Sequence, residues 1–164
     1  MDNFREESIN FTKVFVKENS KNELKKQGIY FTPKVIRAKL LDQITKFVKP
    51  NINILEPAAG SGEFLNDINL LYGSVPLNID AIELNTDLYN IISDIPNVNS
   101  MNEDFLLHNL NKEYELIVGN PPFFEVSRQS DYFELFEKEQ EKEWFFHRTN
   151  IYSLFILKCI ELLK

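Results

Sequence analysis

The clearest chemical signal in this sequence is a run of four consecutive residues: Asn120, Pro121, Pro122 and Phe123. The lone pair of an aromatic amine is delocalised into its ring, which makes the nitrogen a poor nucleophile. Two acceptors on its two hydrogens favour a more tetrahedral, nucleophilic nitrogen, and the Asn120 amide oxygen and the Pro121 carbonyl oxygen can supply them. The prolines fix the turn, and the Phe123 ring offers a nucleobase a stacking surface. A rigid turn without a catalytic role is the alternative.

A second segment, 56–62, consists mostly of small residues and directly follows a short apolar run. Small residues let backbone N–H groups come close to a ligand, and the following helix would add its positive end, so the segment predicts a binding loop. The third glycine that a nicotinamide-binding loop would have near Leu65 is missing, and a plain structural turn is the alternative. The loop comprises Glu56, Pro57, Ala58, Ala59, Gly60, Ser61 and Gly62.

Five further residues, at three places in the chain, could bind parts of a nucleoside with a sulfonium group. Glu83 could accept hydrogen bonds from both hydroxyls of a ribose. Asp104 could pair with an adenine amino group beside the ring of Phe105. Upstream of the loop, Tyr30 and Phe31 could cover a sulfonium, since such a cation suits aromatic faces. Taken singly, each position also fits an ordinary role, as a solvated carboxylate or as an apolar pair at a helix entrance.

Alternating strand and helix patterns surround these positions. Repeated strand–helix units imply a parallel sheet with right-handed crossovers, and ligands of such sheets bind at the carboxyl ends of the strands. Each segment described above falls at such an end. The predicted strands are 52–55, 77–84, 98–101 and 114–118, and the predicted helices are 33–48, 63–71, 86–93 and 151–163, with a charged helix or loop over 134–143.

Several local features of these helices are also predicted. Thr32 suits a helix N-cap and Pro33 the first helical position. The helix at 151–163 is apolar nearly all round and is therefore predicted to be buried. Residues 1–27 form a helical leader, and 28–164 form one domain. The apolar stripe of the first domain helix comprises Ile36, Leu40, Leu41, Ile44, Phe47 and Val48, and the docking residues of the leader are Phe11, Val14 and Phe15.

The composition limits the class of protein. With 164 residues, 43% hydrophobic and 26% charged, the chain fits one globular domain. It holds no apolar run of membrane-spanning length, and its single cysteine, Cys159, fits a reducing compartment, so we expect a cytoplasmic protein. The net charge of −7 opposes a large phosphate-binding surface. One basic cluster has a solvated helical face as its simplest interpretation; it comprises Lys21, Lys25, Lys26, Lys34, Arg37 and Lys39.

The ordered set of motifs resembles the gamma class of DNA amino-methyltransferases, including the methylases of restriction–modification systems. GIYFTP at 28–33 is similar to the family's GxYYTP, and EPAAGSGEFL at 56–65 to its DPACGSGxFL. AIEL at 81–84 supplies the acidic residue, NEDF at 102–105 matches the adenine-contacting element, and NPPF stands for NPPY. The last 15 residues, 150–164, are similar to the helix that follows. The order, with the tyrosine–threonine–proline element first, indicates the gamma class.

The resemblance implies a Rossmann-like methyltransferase fold and transfer from S-adenosylmethionine to the N6 amino group of adenine flipped out of double-stranded DNA. S-adenosylhomocysteine is the implied second product, and neither a covalent intermediate nor a metal is expected. The implied catalytic residues are Asn120, Pro121, Pro122 and Phe123. The implied cofactor-binding residues are Tyr30, Phe31, Thr32, Glu56, Pro57, Ala58, Ala59, Gly60, Gly62, Glu83, Leu84, Asp104, Phe105 and Asn120.

The sequence departs from the family pattern in several places. Ala59 stands for cysteine, Glu56 for aspartate and Phe123 for tyrosine, which keeps the ring and removes a hydroxyl. Family members continue past the last helix into three more strands and a target-recognition region. We therefore expect a fold incomplete at its C-terminus, whose activity needs a downstream region or a separate specificity subunit. The alternatives are a cofactor-binding fragment without catalysis and an amino-methyltransferase for RNA or protein.

Overall fold

A four-stranded parallel sheet forms the centre of the molecule. The computed structural model describes residues 10, 12–20, 24, 29–127, 130–140 and 150–164, with the backbone alone over 136–140. The order of the strands across the sheet is β3-β2-β1-β4, and every pairing is parallel. The strands are β1 (Asn53–Glu56), β2 (Asn78–Ile82), β3 (Val98–Met101) and β4 (Leu116–Ile117).

Helices cover both faces of this sheet. Successive side chains of a strand point to opposite faces, so Ile54 packs into the core beneath the first three helices, whereas Leu55 packs into the core beneath the last helix. Among the described residues, no helix has the length and apolar content to cross a bilayer. The helices are α1 (Lys34–Ile44), which continues into a 3-10 turn at Thr45–Phe47, α2 (Glu63–Tyr72), α3 (Thr86–Ile92), α4 (Asp131–Gln140) and α5 (Ile151–Leu162).

The predicted fold class, a parallel sheet flanked by helices, is confirmed, and all four predicted strands are present. Two of them are shorter than predicted. β2 ends at Ile82, so Glu83 and Leu84 already belong to the turn beyond it. β4 has two residues, because Tyr114 forms a bridge with Leu163, directly after the end of α5, instead of extending the strand. The strand order reverses at β1, since its neighbours are β2 on one side and β4 on the other, and such a switch point is where ligands bind in open sheets.

The predicted start of α1 is wrong by one residue. Pro33, not Thr32, is the N-cap, because the Pro33 carbonyl accepts the first helical bonds from Ile36 and Arg37. The predicted apolar stripe is only partly buried. Leu41 is 1% exposed, but the exposed fractions of Ile36, Leu40 and Phe47 are 47%, 40% and 55%.

The prediction that the last helix is buried is correct for one face only. α5 contributes Ile151, Leu154 and Phe155 to the core, but Ile160 is 59% exposed. The cause is that α5 covers the sheet with one face, and no described residue covers its opposite face. Apolar composition therefore overestimated its burial.

The leader contacts the loops at the carboxyl end of the sheet. Residues 12–18 are helical, and Phe15 packs with Leu24 and Leu88 against Phe31. Val14 is 49% exposed, contrary to its predicted docking role, and Phe11 lies outside the described residues. The leader thus helps to hold the segment that contains Phe31.

Arg37 is the basic residue that joins these elements. Its side chain is 7% exposed, so it is not part of a solvated face as its place in the basic cluster suggested. The guanidinium contacts Glu63 at 2.7 Å and Asp67 at 2.8 Å, both on α2. It also donates to the Thr32 carbonyl oxygen at 2.5 Å. One buried cation therefore fixes α1, α2 and the 29–33 segment together.

Arg37→Met should lower the free energy of unfolding by about 3–5 kcal/mol, because it leaves the buried Asp67 carboxylate and the half-buried Glu63 carboxylate without a counter-charge. Lys39→Met, at an exposed position of the same helix, should change it by less than about 0.5 kcal/mol. Urea unfolding of both variants checks this. Equal losses in the two variants would contradict the role assigned to Arg37.

Candidate functional site

Three adjoining cavities lie at the carboxyl ends of β1, β2 and β4. The inner cavity is bordered by Leu84, Asp104 and Phe105 and encloses about 700 Å³ between its atoms, the open mouth included. The loop cavity is bordered by Glu56 and the small residues after β1, and the outer cavity by Ile36, Leu40, Gly119 and Phe123.

Tyr30, Phe31 and Asn120 border all three cavities. The Asn120 side-chain nitrogen donates to the Tyr30 carbonyl oxygen at 3.1 Å. This bond joins the loop after β4 to the segment before α1 and orients the amide. With its nitrogen so engaged, Asn120 offers its amide oxygen as an acceptor at the junction of the cavities.

Two glycines give the loop after β1 its shape. Gly60 and Gly62 have φ values of +57° and +74°, which side-chain-bearing residues rarely adopt. A Cβ atom at Gly60 would meet no atom within 4 Å, and this glycine borders both the inner and the loop cavities. A Cβ at Gly62 would lie 2.5 Å from Ile95 and 2.8 Å from Ile92. Gly60 therefore keeps space open for a ligand, whereas Gly62 lets the loop pack on the core.

Glu83 holds this loop in place. Its carboxylate accepts from the Gly60 N–H at 2.7 Å and from the Asn85 N–H at 2.8 Å. Burial raises the pKa of Glu83, and these backbone hydrogen bonds oppose the shift. A carboxylate has about four lone-pair sites, so Glu83 keeps capacity to accept further hydrogen bonds from a ligand in the inner cavity.

Glu56 is the most unusual group in the site. It is 1% exposed, and its Oε2 atom has no hydrogen-bond partner among the described residues. Burial, reinforced by the neighbouring Glu83 charge, raises the pKa of Glu56 well above its usual range, while Arg37 opposes the shift. An orphaned buried oxygen costs stability.

The turn that carries Asp104 and Phe105 is fixed from behind. Lys158 on α5 donates to the carbonyl oxygens of Phe105 at 2.5 Å, Leu106 at 3.1 Å and His108 at 2.5 Å. Its nitrogen also lies 5.0 Å from the centre of the Phe105 ring. Burial lowers the pKa of Lys158. The lysine thus fixes the backbone of this turn through three hydrogen bonds.

An aromatic cluster borders the outer cavity. The Phe123 ring stacks on Tyr152 of α5, with centroids 4.8 Å apart and planes at 16°, and it meets the Tyr30 ring edge-on at 6.3 Å. Phe123 is nevertheless 42% exposed. Tyr152 therefore supports one face of a ring that remains accessible from the cavity.

Most residues expected at the site lie together. Gly62 and Pro121 are not among the residues that border the three cavities, and Gly28 of the GIYFTP element lies outside the described residues. Sequence reasoning missed Tyr132, Tyr152 and Lys158; a single lysine within an apolar helix was the one available signal for the last of these. The expected residues that border a cavity are Tyr30, Phe31, Thr32, Glu56, Pro57, Ala58, Ala59, Gly60, Glu83, Leu84, Asp104, Phe105, Asn120, Pro122 and Phe123.

The fold is that of S-adenosylmethionine-dependent methyltransferases. The chain is similar to the methyltransferase subunit of a type I restriction–modification system from Streptococcus thermophilus, with a TM-score of 0.59 and 21% identity over 82% of this chain and 32% of that one. It is also similar to a Listeria monocytogenes protein assigned to class I of these methyltransferases, with a TM-score of 0.56 and 20% identity over 79% of this chain and 41% of that one.

Residues 4–164 match the Eco57I restriction-modification methylase family, and the chain belongs to this family. It is 37% identical over 160 residues to the modification methylase CviBIII of Paramecium bursaria Chlorella virus NC1A, covering 94% of this chain and 39% of that protein. It is 30% identical over 157 residues to the type II methyltransferase M.AccI of Acinetobacter calcoaceticus, covering 92% of this chain and 28% of that protein. The chain thus spans about two fifths or less of the length of these relatives.

Gly62→Ala should destabilise the chain more than Gly60→Ala. Both substitutions place alanine at a positive φ, at about 1–2 kcal/mol each. Only Gly62→Ala adds overpacking against Ile92 and Ile95, for about 1–3 kcal/mol more. Thermal and denaturant unfolding of the two variants measure the difference, and a larger loss for Gly60→Ala would show that its side of the loop is not open.

Proposed function

We propose that this chain carries the catalytic part of a DNA methyltransferase that transfers a methyl group from S-adenosylmethionine to the N6 amino group of adenine. The observation that carries the proposal is the position of Asn120, which borders all three cavities with its amide nitrogen bound to the Tyr30 carbonyl. One residue is thereby within reach of a nucleoside in the inner cavity and of a base in the outer cavity.

The inner cavity suits the adenosine part of the cofactor. Glu83 would accept from the ribose hydroxyls with the lone pairs that Gly60 and Asn85 leave open. Asp104 would accept from the adenine amino group, and the exposed side chain of Leu84, at 61%, would pack against the base. The open side of Gly60 leaves room for the ligand backbone.

The loop cavity suits the methionine part. Its lining contains two acidic side chains, Glu56 and Glu63, and one basic side chain, Arg37. The orphaned Oε2 of Glu56 fits an ammonium group, which would supply the missing donor. Tyr30 and Phe31 face the same space, and their rings suit the sulfonium, which supplies an activated methyl group when the cofactor is bound.

The outer cavity suits the target base. Phe123 would stack on the base, with Tyr152 supporting the ring from its other side. The Asn120 amide oxygen would accept one hydrogen of the base amine. The second acceptor would be the carbonyl oxygen of the adjoining Pro121, which borders none of the three cavities in the free chain. Two such acceptors raise the nucleophilicity of the nitrogen. The two acceptors lie on a proline-fixed turn, so little reorganisation is needed when positive charge develops on the amine.

Double-stranded DNA is the proposed substrate because the relatives include modification methylases and type II methyltransferases. The net charge of −7 agrees with a chain that supplies the chemistry while other surfaces bind the phosphates. Those surfaces would belong to a further region or to a specificity subunit. The free Cys159 agrees with a reducing compartment, and we place the activity in the cytoplasm.

Calorimetric titration with S-adenosylmethionine tests the proposal first. The wild-type chain should bind, and Glu83→Ala should weaken binding by at least about tenfold, because it removes the ribose acceptor. Asn120→Ala should keep most of the affinity but lower methyl transfer to duplex DNA by about 100-fold or more. Asn69→Ala is the matched control, since Asn69 also donates to a backbone carbonyl, that of Pro96, but borders none of the three cavities.

Two results would contradict the proposal. The first is a folded wild-type chain that does not bind S-adenosylmethionine. The second is transfer whose labelled product, after nucleoside and amino-acid analysis, is methylated guanine from RNA or methylated glutamine instead of N6-methyladenine.

Glu56→Gln should stabilise the ligand-free chain at neutral pH while weakening cofactor binding. Because burial raises the pKa of Glu56, the folded state binds its proton more tightly than the unfolded state does. The stability from that proton is complete below the unfolded pKa and is lost as the pH rises through the folded pKa. The glutamine variant does not lose this stability. The difference between its free energy of unfolding and that of the wild type should therefore grow with pH, to about 1–3 kcal/mol.

Unfolding at a series of pH values measures this advantage, with Glu113→Gln, at an exposed position, as the control that should show none. The same variant should bind S-adenosylmethionine more weakly, because its amide lacks the charge that pairs with the ammonium. A Glu56→Gln chain that is less stable than wild type at every pH would refute the conclusion that the Glu56 carboxylate destabilises the ligand-free chain.

A further inference from the structure

Tyr132 of α4 makes a contact that the proposed function leaves unexplained. Its hydroxyl donates to Oδ2 of Asp104 at 2.5 Å, and its side chain borders the inner cavity. Burial, reinforced by the nearby Asp104 charge, raises the pKa of Tyr132, so the phenol keeps its proton and remains a donor. The residue is separated from Asp104 by 28 positions, so this is a tertiary contact between two elements.

The other oxygen of Asp104 is also engaged. Oδ1 accepts from the Leu106 N–H at 2.9 Å. With one donor on each oxygen, the carboxylate cannot rotate freely, and its remaining lone pairs have fixed directions. Lys158 holds the adjoining backbone through the carbonyls of Phe105 and Leu106, so the whole group is immobilised.

We propose that Tyr132 is a specificity-determining residue for the cofactor's purine ring: it holds the Asp104 carboxylate as an acceptor that selects a 6-amino group over a 6-oxo group. The inference rests on the proposed function, because it requires adenine in the inner cavity. An amino group can donate to the fixed carboxylate. A carbonyl oxygen at the same position is itself an acceptor, so it would be repelled by the Asp104 carboxylate. The carboxylate would also receive no hydrogen bond from the ligand.

Discrimination between two ligands separates this role from a merely structural one. S-adenosylhomocysteine and S-inosylhomocysteine differ at position 6 and its neighbouring ring nitrogen, so both are titrated calorimetrically into wild type and Tyr132→Phe. The substitution should weaken S-adenosylhomocysteine about tenfold and change S-inosylhomocysteine by less than about twofold, because a carboxylate free to turn loses its preference. The ratio of the two affinities is the readout.

Tyr72→Phe is the matched control. The Tyr72 hydroxyl also has hydrogen-bond partners, Thr45 and the Leu41 carbonyl, but Tyr72 ends α2 and borders none of the three cavities. This variant should leave both affinities unchanged. A second arm places Tyr132→Phe in an Asp104→Ala background, where it should not alter the ratio further, because Tyr132 acts through Asp104.

The remaining outcomes would contradict either the role of Tyr132 or the proposed function. Equal weakening of both ligands by Tyr132→Phe would reduce the tyrosine to a structural support, and tighter binding of S-adenosylhomocysteine would make it a competitor for Asp104; either result overturns the inference alone. A folded wild-type chain that binds neither ligand overturns the proposed function, and this inference with it.

Discussion

A concentration of negative charge around one turn is the constraint on which the rest of the structure depends. Glu56 and Glu83 end or follow neighbouring strands, and Glu63 and Asp67 lie on the helix between those strands. Carboxylates so close together in a partly dry environment repel one another, and burial raises the pKa values of Glu56, Glu63 and Glu83. Arg37 lies within hydrogen-bond distance of two of them. The balance between these acids and one guanidinium decides whether the turn can stay packed.

One of these acidic groups is left without a hydrogen-bond donor, and it lies where a ligand would bind. Arg37 satisfies Glu63 and Asp67, and two backbone N–H groups satisfy Glu83, but Oε2 of Glu56 receives no donor among the described residues. A ligand with a positive charge would complete the set, so stability that the free chain lacks would appear on binding. This follows the general pattern in which binding sites are locally destabilised and are supported by the surrounding fold.

How much of this the sequence predicts depends on the range of the interaction. The order of strands and helices and the loops at 56–62 and 120–123 were predictable, because small residues, prolines and apolar runs act locally. The partners of Arg37 were not, since Glu63 and Asp67 lie 26 and 30 positions away and no local pattern distinguishes this residue from solvated Lys39. Tyr132 was missed for the same reason. The exposed face of α5 was missed because apolar composition does not reveal which faces have neighbours.

A short series of contacts connects the ion pairs of Arg37 to Asn120 at the proposed reaction centre. Glu63 and Asp67 fix Arg37, and the guanidinium holds the Thr32 carbonyl oxygen. Two residues before Thr32, the Tyr30 carbonyl oxygen accepts from the Asn120 amide. The direction of the Asn120 oxygen therefore depends on a segment whose position is set by a buried charge on another helix. The proposed acceptor therefore needs no titratable group beside it. The ion pairs of Arg37 with Glu63 and Asp67 fix its position instead, and these pairs are strengthened because their side chains are largely shielded from water.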